Sequence, residues 1–189
     1  IYVTGQDRPF IIDSIRLEII RRGLSIHAIN NMVVHVERDA KGQITSIGQD
    51  TGPKESIVCI EVDRHTSSEW IESLAAELTS VMDEVKWIVD DFDAMLGKVD
   101  EQINHLKKSA GHLQKNDVDE AIAFLDWMRD HFTFLGYEVY DLAAKTKEKQ
   151  LIIQKDSGLG LLKQNNPSIK NFILDNDNLN VDQHSLLPE

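Results

Sequence analysis

The strongest constraint on the fold is a change of apolar period near the beginning of the chain. Ile11, Ile12, Ile15 and Ile19 recur at helical spacing. Gly23 then follows Arg21 and Arg22, a cationic last turn with a left-handed stop. From Leu24 the period becomes two: Leu24, Ile26, Ala28, Met32, Val34 and Val36 are read to one side of a long strand, with Asn30 interrupting the row. A helix handing over directly to a strand, after the β-prone Ile1–Thr4, defines a β-α-β beginning.

Asp39 to Gly42 reads as a hairpin turn, with a return through Gln43 to Ile47. Ser56 to Val62 is apolar on both faces near its middle, which places it centrally in a sheet. Thr66-Ser-Ser-Glu69 has the form of a capping box opening a helix to about Met82, with Trp70, Leu74, Leu78, Val81 and Met82 on its core face. Val85, Trp87 and Val89 alternate and are read as a further strand. The resulting order is βαββαβ, an α+β, ferredoxin-like antiparallel sheet with two helices on one face.

Asp91 is read as the cap of another helix, in which Phe92, Leu96, Val99, Ile103, Leu106, Ala110 and Leu113 occupy heptad positions. A cap at Asp117 to Glu120 opens a neighbouring helix carrying Ile122, Phe124, Leu125 and Met128, so the two are expected to form a helical hairpin. Phe132 to Leu142 and Leu151 to Gln154 read as strands around a polar turn at Lys145 to Lys149, a small β-hairpin unit. The expected organisation is a sheet domain over 1–90, a helical connector over 91–131, the β-hairpin start of a second domain over 132–163, and a poorly ordered or truncated tail over 164–189.

Composition narrows the chemistry. A net charge of −12 disfavours a nucleic-acid partner, whose affinity depends on cations displacing counterions from phosphate. The apolar runs are too short to cross a bilayer, so no membrane partner is expected. Cys59 is the single cysteine and reads as a small core residue, and the expected compartment is the cytoplasm. Because the chain opens at Ile1, inside strand-like sequence, it reads as part of a longer polypeptide.

No motif commits the chain to catalysis. His27 and His35 share a strand but lie about 26 Å apart, and His105 and His112 are two helical turns apart, so neither pair can hold one ion. Asp90, Asp91 and Asp93 read as complements to a helix dipole. Ser157-Gly-Leu-Gly160 lacks the third glycine and distal acid of a dinucleotide fingerprint. Catalytic, cofactor and metal residues are accordingly expected to be absent from this chain. What remains is the Gly5 to Phe10 corner between first strand and first helix, where a helix start, Asp7 and Arg8, with Asn30 nearby, offer a seat for a carboxylate. The alternative is a plain turn in which Asp7 caps the helix and Pro9 begins it.

The strand, the Asp-Arg-Pro corner, the helix ending Arg-Arg-Gly and the following Leu-Ser-Ile resemble the ACT domain, a small βαββαβ regulatory module that often senses amino acids. More specifically, RPFIIDSIRLEIIRRGLSIH, ESIVCIEVDR, DHFTFLGYEVYDL and SGLGLL resemble the N-terminal region of the large bacterial NAD-specific glutamate dehydrogenase. That resemblance implies a parent enzyme converting glutamate, NAD and water to 2-oxoglutarate, ammonia and NADH, with NAD as the parent's cofactor. It implies for this chain a non-catalytic regulatory or assembly role, with the parent's other domains and further copies as partners. The alternative is an amino-acid-sensing ACT module of another metabolic or regulatory protein. The candidate effector residues are Asp7, Arg8, Phe10 and Asn30, with Phe10 standing where amino-acid-binding ACT domains commonly carry glycine.

Overall fold

A computed structural model of the protein describes residues 1–48, 51–109, 114–143 and 150–163. The chain divides between Val89 and Asp90 into two compact units. The first contains β1 (Tyr2–Gln6), α1 (Ile11–Arg21), β2 (Ile26–Arg38), β3 (Ile44–Ile47) and β4 (Lys54–Val62). It also holds the first half of α2 (Ser68–Ser109), a helix of 42 residues.

The four strands form one antiparallel sheet in the order β1-β4-β2-β3, with β4 inside it as its two-sided apolar pattern requires. Ile11, Ile15 and Ile19 of α1 and Leu74, Leu78 and Val85 of α2 pack with Val58 and Ile60 of β4 in one buried cluster. The α+β class, the antiparallel sheet and its helix-covered face therefore stand as the sequence indicates. The turn at Asp39 also forms: its carboxylate accepts the amides of Lys41 (2.8 Å) and Gln43 (2.9 Å), and Gly42 takes φ 78°.

The expected strand at Val85 to Val89 is instead helix, continuous within α2. Val85 and Val89 are four apart as well as being alternate with Trp87, so they satisfy both periods. They also extend the stripe of Leu74 and Leu78 towards Phe92 and Leu96 without a glycine or proline break, and the helix continues. The fourth strand of the sheet is thus the hairpin return β3, and the outer edge of β1 carries no further strand among the described residues.

Three helix starts shift. Ser67, not Thr66, caps α2: the Trp70 amide donates to Ser67 Oγ at 3.3 Å. Asp91 lies inside α2, so it caps nothing, and Asp90 and Asp93 likewise sit far from a dipole end. α3 (Lys115–His131) begins after Gln114, leaving Asp117 in its first turn.

In the second unit Arg129 of α3 reaches Asp100 of α2 at 3.0 Å, the expected hairpin contact, and Met95, Ile103 and Val118 are buried. Phe124 is exposed rather than part of that seam. Ala110, Leu113, the Lys145 to Lys149 turn and the 164–189 tail lie outside the described residues. Short strand pairs follow: β5 (Gly136–Tyr137) with β8 (Leu159–Gly160), and β6 (Tyr140–Ala143) with β7 (Gln150–Ile153). The carboxylate of Asp91 accepts the Gly160 amide (2.8 Å) and pairs with Lys163 (2.8 Å), holding this end of the β region to α2.

Candidate functional site

β1 ends at Gln6, where the Asp7 amide donates to the Lys54 carbonyl at 2.9 Å and extends the pairing with β4 by one residue. Arg8 Nη2 donates to Gln6 Oε1 at 2.8 Å across the corner. The helix begins only at Ile11, with Phe10 in the N-cap position at φ 70° and ψ −4°, making no side-chain cap. Asp7 therefore does not cap α1 and Pro9 does not open it. A left-handed backbone is natural for glycine, whereas the Cβ of Phe10 crowds its own carbonyl there. Phe10 is 48% exposed, so burial does little to offset that strain.

Asp7, Arg8 and Phe10 share this corner, but Asn30 does not. Asn30 pairs with Cys59, and Cys59 with Tyr2, five residues before Asp7 and about 17 Å along the strand. A register shift between Ile26 and Ala28 reverses the facing of the rest of β2. Ala28, Asn30, Met32 and Val34 consequently lie on the face away from the helices, in register with Glu61, Cys59, Ile57 and Glu55. The row read from Leu24 to Val36 is split by that bulge, and Cys59, expected in the core, is half-buried on the open face. Beside it the Tyr2 phenol is raised, first by its hydrogen bond to Cys59.

The polar pair on the helix side of the sheet is one the sequence reading missed. Ser56, only 3% exposed, donates from Oγ to Asn31 Oδ1 at 2.9 Å. By register both lie towards the end of the sheet where β1 gives way to α1. A bulge at the start of β2 would have exchanged Asn30 for Asn31, yet nothing in the local sequence marks it.

A second polar cluster ties the two helices of the first unit. Glu18, 7% exposed, receives Arg21 at 2.7 Å and Arg22 at 3.0 Å. Arg22 continues to Ser73 Oγ (3.1 Å) and Glu77 (3.5 Å), with its guanidinium 6.0 Å from the Trp70 ring centre. The hydrogen bond from Arg21 is the main reason the Glu18 carboxyl stays below its usual range. Glu84 moves the other way, raised first by burial and then by Glu77 and Glu18. These groups neutralise one another within the fold, which is what a structural clamp does.

The two glycines of the Ser157 to Gly160 motif have packing roles. A Cβ at Gly158 would collide with the Leu162 carbonyl oxygen and one at Gly160 with that of Leu135, while Gly160 holds φ 58°. Among the described residues no three His, Cys, Asp or Glu side chains converge as a metal site. No helix among them is long and apolar enough to cross a membrane.

Finally, β1 and α2 enclose a groove of about 600 Å³, lined by residues 1–6 and by Arg8, Leu78, Met82, Asp83 and Lys86.

The chain compares closely with known proteins. The family described as glutamate dehydrogenase, ACT1 domain, matches residues 1–78. An NAD-specific glutamate dehydrogenase of Halomonas elongata is 33% identical over 196 aligned residues, covering 100% of this chain and 12% of the relative. Another, of Pseudomonas aeruginosa, is 34% identical over 166 residues, covering 84% of this chain and 10% of the relative. The chain thus spans about a tenth of the length of the curated relatives it matches. The antiparallel sheet, α1 and the start of α2 lie within the matched residues, and over residues 1–78 the chain is similar to the ACT1 domain of glutamate dehydrogenases.

Proposed function

We propose that this chain is a non-catalytic regulatory and assembly segment of an NAD-dependent glutamate dehydrogenase, a cytoplasmic enzyme that converts glutamate, NAD and water to 2-oxoglutarate, ammonia and NADH. The observation that carries this reading is the uncovered face of the sheet. Tyr2 is 79% exposed and Met32 55% exposed there, beside half-buried Ile57, Val34 and Cys59. Apolar side chains grouped on one face suit contact with other domains of the long parent polypeptide or with its further copies.

The test is the parent enzyme carrying Met32→Lys and Ile57→Lys, two charges on that face. The expected result is a smaller native mass in sedimentation, with glutamate-dependent NAD reduction retained by the dissociated species. An unchanged mass overturns the assembly role. An amino-acid effector at Asp7, Arg8 and Phe10 is separated from this reading by calorimetry. A ligand-induced rise in melting temperature that Asp7→Asn abolishes would favour a sensor, because a ligand selective for the folded chain must stabilise it.

A further inference from the structure

We propose that the free edge of β1 pairs with β1 of a second copy, joining two sheets across a two-fold axis at Thr4. This rests on the assembly reading above and names one of its contacts. Among the described residues β1 is paired only with β4. In that ladder Ile60 N donates to Ile1 O and Asp7 N to Lys54 O, so Ile1, Val3, Gly5 and Asp7 turn their backbone groups towards β4. The N–H and C=O of Tyr2, Thr4 and Gln6 therefore turn outward.

Sheet edges of this kind are ordinarily protected by charge, proline, a bulge or shortness. The opposite edge, β3, is four residues long and its pairing with β2 is broken by a register shift at Glu37 to Arg38. β1, five residues long, carries no charge, no proline and no break in its register with β4.

A second β1 complements it. Antiparallel pairing with Thr4 on the axis sets Tyr2 against Gln6 of the other copy and Thr4 against its equivalent, forming up to about six backbone hydrogen bonds. On the helix side the same register sets Val3 opposite Gly5. A Cβ at Gly5 would meet Met82 Cε only at an ordinary contact distance of 3.7 Å and the groove beside it is open, so this position leaves room for the facing Val3. The groove rim carries both signs of charge, Arg8 and Lys86 with Asp83, so no block of like charge lines it.

Sedimentation equilibrium of the 189-residue chain tests this. The mass should rise with concentration from 21.5 kDa towards twice that value. Thr4→Pro and Thr4→Lys should both remain at 21.5 kDa with unchanged melting temperature at low concentration, because the Thr4 N–H makes no bond to β4. In a Cys59→Ala background, Thr4→Cys should form a covalent dimer under mild oxidation and Tyr2→Cys should not, since only position 4 meets itself. A wild type that stays at 21.5 kDa at millimolar concentration overturns the proposal, as do Thr4 variants that dimerise like wild type. The assembly reading, tested on the parent by Met32→Lys and Ile57→Lys on the face away from the helices, survives or fails separately.

Discussion

Individual residues show where local preference yields to context. Phe10 keeps φ 70° without a cap or deep burial, a conformation costing an L-residue about 1–2 kcal/mol. Phe10→Gly should accordingly be more stable than Phe10→Ala by about 1 kcal/mol in denaturant midpoints, reversing the usual order for these two residues. Glu18 gives a pH-dependent expectation. Its folded-state pKa is lowered, so its contribution is fully present above the ordinary value of 4.5 and is lost as pH falls through the folded value. Glu55 and Asp63 shift in the same direction, through Arg38 and through the Ser25 amide respectively. Melting temperature should be flat above about pH 5 and fall below about 4.5. Glu18→Gln should shrink that fall while lowering neutral-pH stability by about 1–3 kcal/mol, because two arginines lose their acceptor. Glu84, whose carboxyl is raised by burial, acts with the opposite sign, and Glu84→Gln should slightly raise melting temperature at pH 7.

At the scale of elements, legibility depended on whether competing periods existed. α1 is closed by a clear local signal, the cationic turn before Gly23, and its buried positions Ile11, Ile15 and Ile19 are those the 3.6 period selects. β4 was equally legible. Val85 to Val89 was not, because valines four apart fit helix and strand alike, and what decides between the two is the buried cluster that Val85 joins. The facing of β2 was hidden for a different reason: a bulge depends on how the strand registers against β4, which no window of local sequence contains. Gly97 remains inside α2 with open space where a Cβ would be, so Gly97→Ala should stabilise the helix by about 0.5–1 kcal/mol, read as a shift in denaturant midpoint.

At the scale of the whole molecule, the core of the sheet unit is complete within Ile1–Val89. Every buried residue of its main cluster, from Ile11 to Val85, lies there. A chain ending at Val89 should therefore fold on its own, giving one cooperative melting transition and near-ultraviolet dichroism from Trp70, which packs against the core. A broad transition without that signal would show that the remainder of α2 is needed. The candidate corner was only partly legible at this scale. Asp7, Arg8 and Phe10 are neighbours in the chain and stay together, while Asn30 was separated from them by tertiary register.

From the amino-acid order alone came the elements whose signals are local: the first helix and its stop, the Asp39 turn, the central strand and the α+β class. The tertiary structure alone decided that residues 85–89 continue a helix, that Asn31 and not Asn30 faces the helices, and that one edge of β1 carries no strand among the described residues. The physical reason is the same in each case. Side-chain period and turn chemistry act over a few residues, whereas strand register and the choice between two compatible periods are set by which distant apolar face is there to be covered.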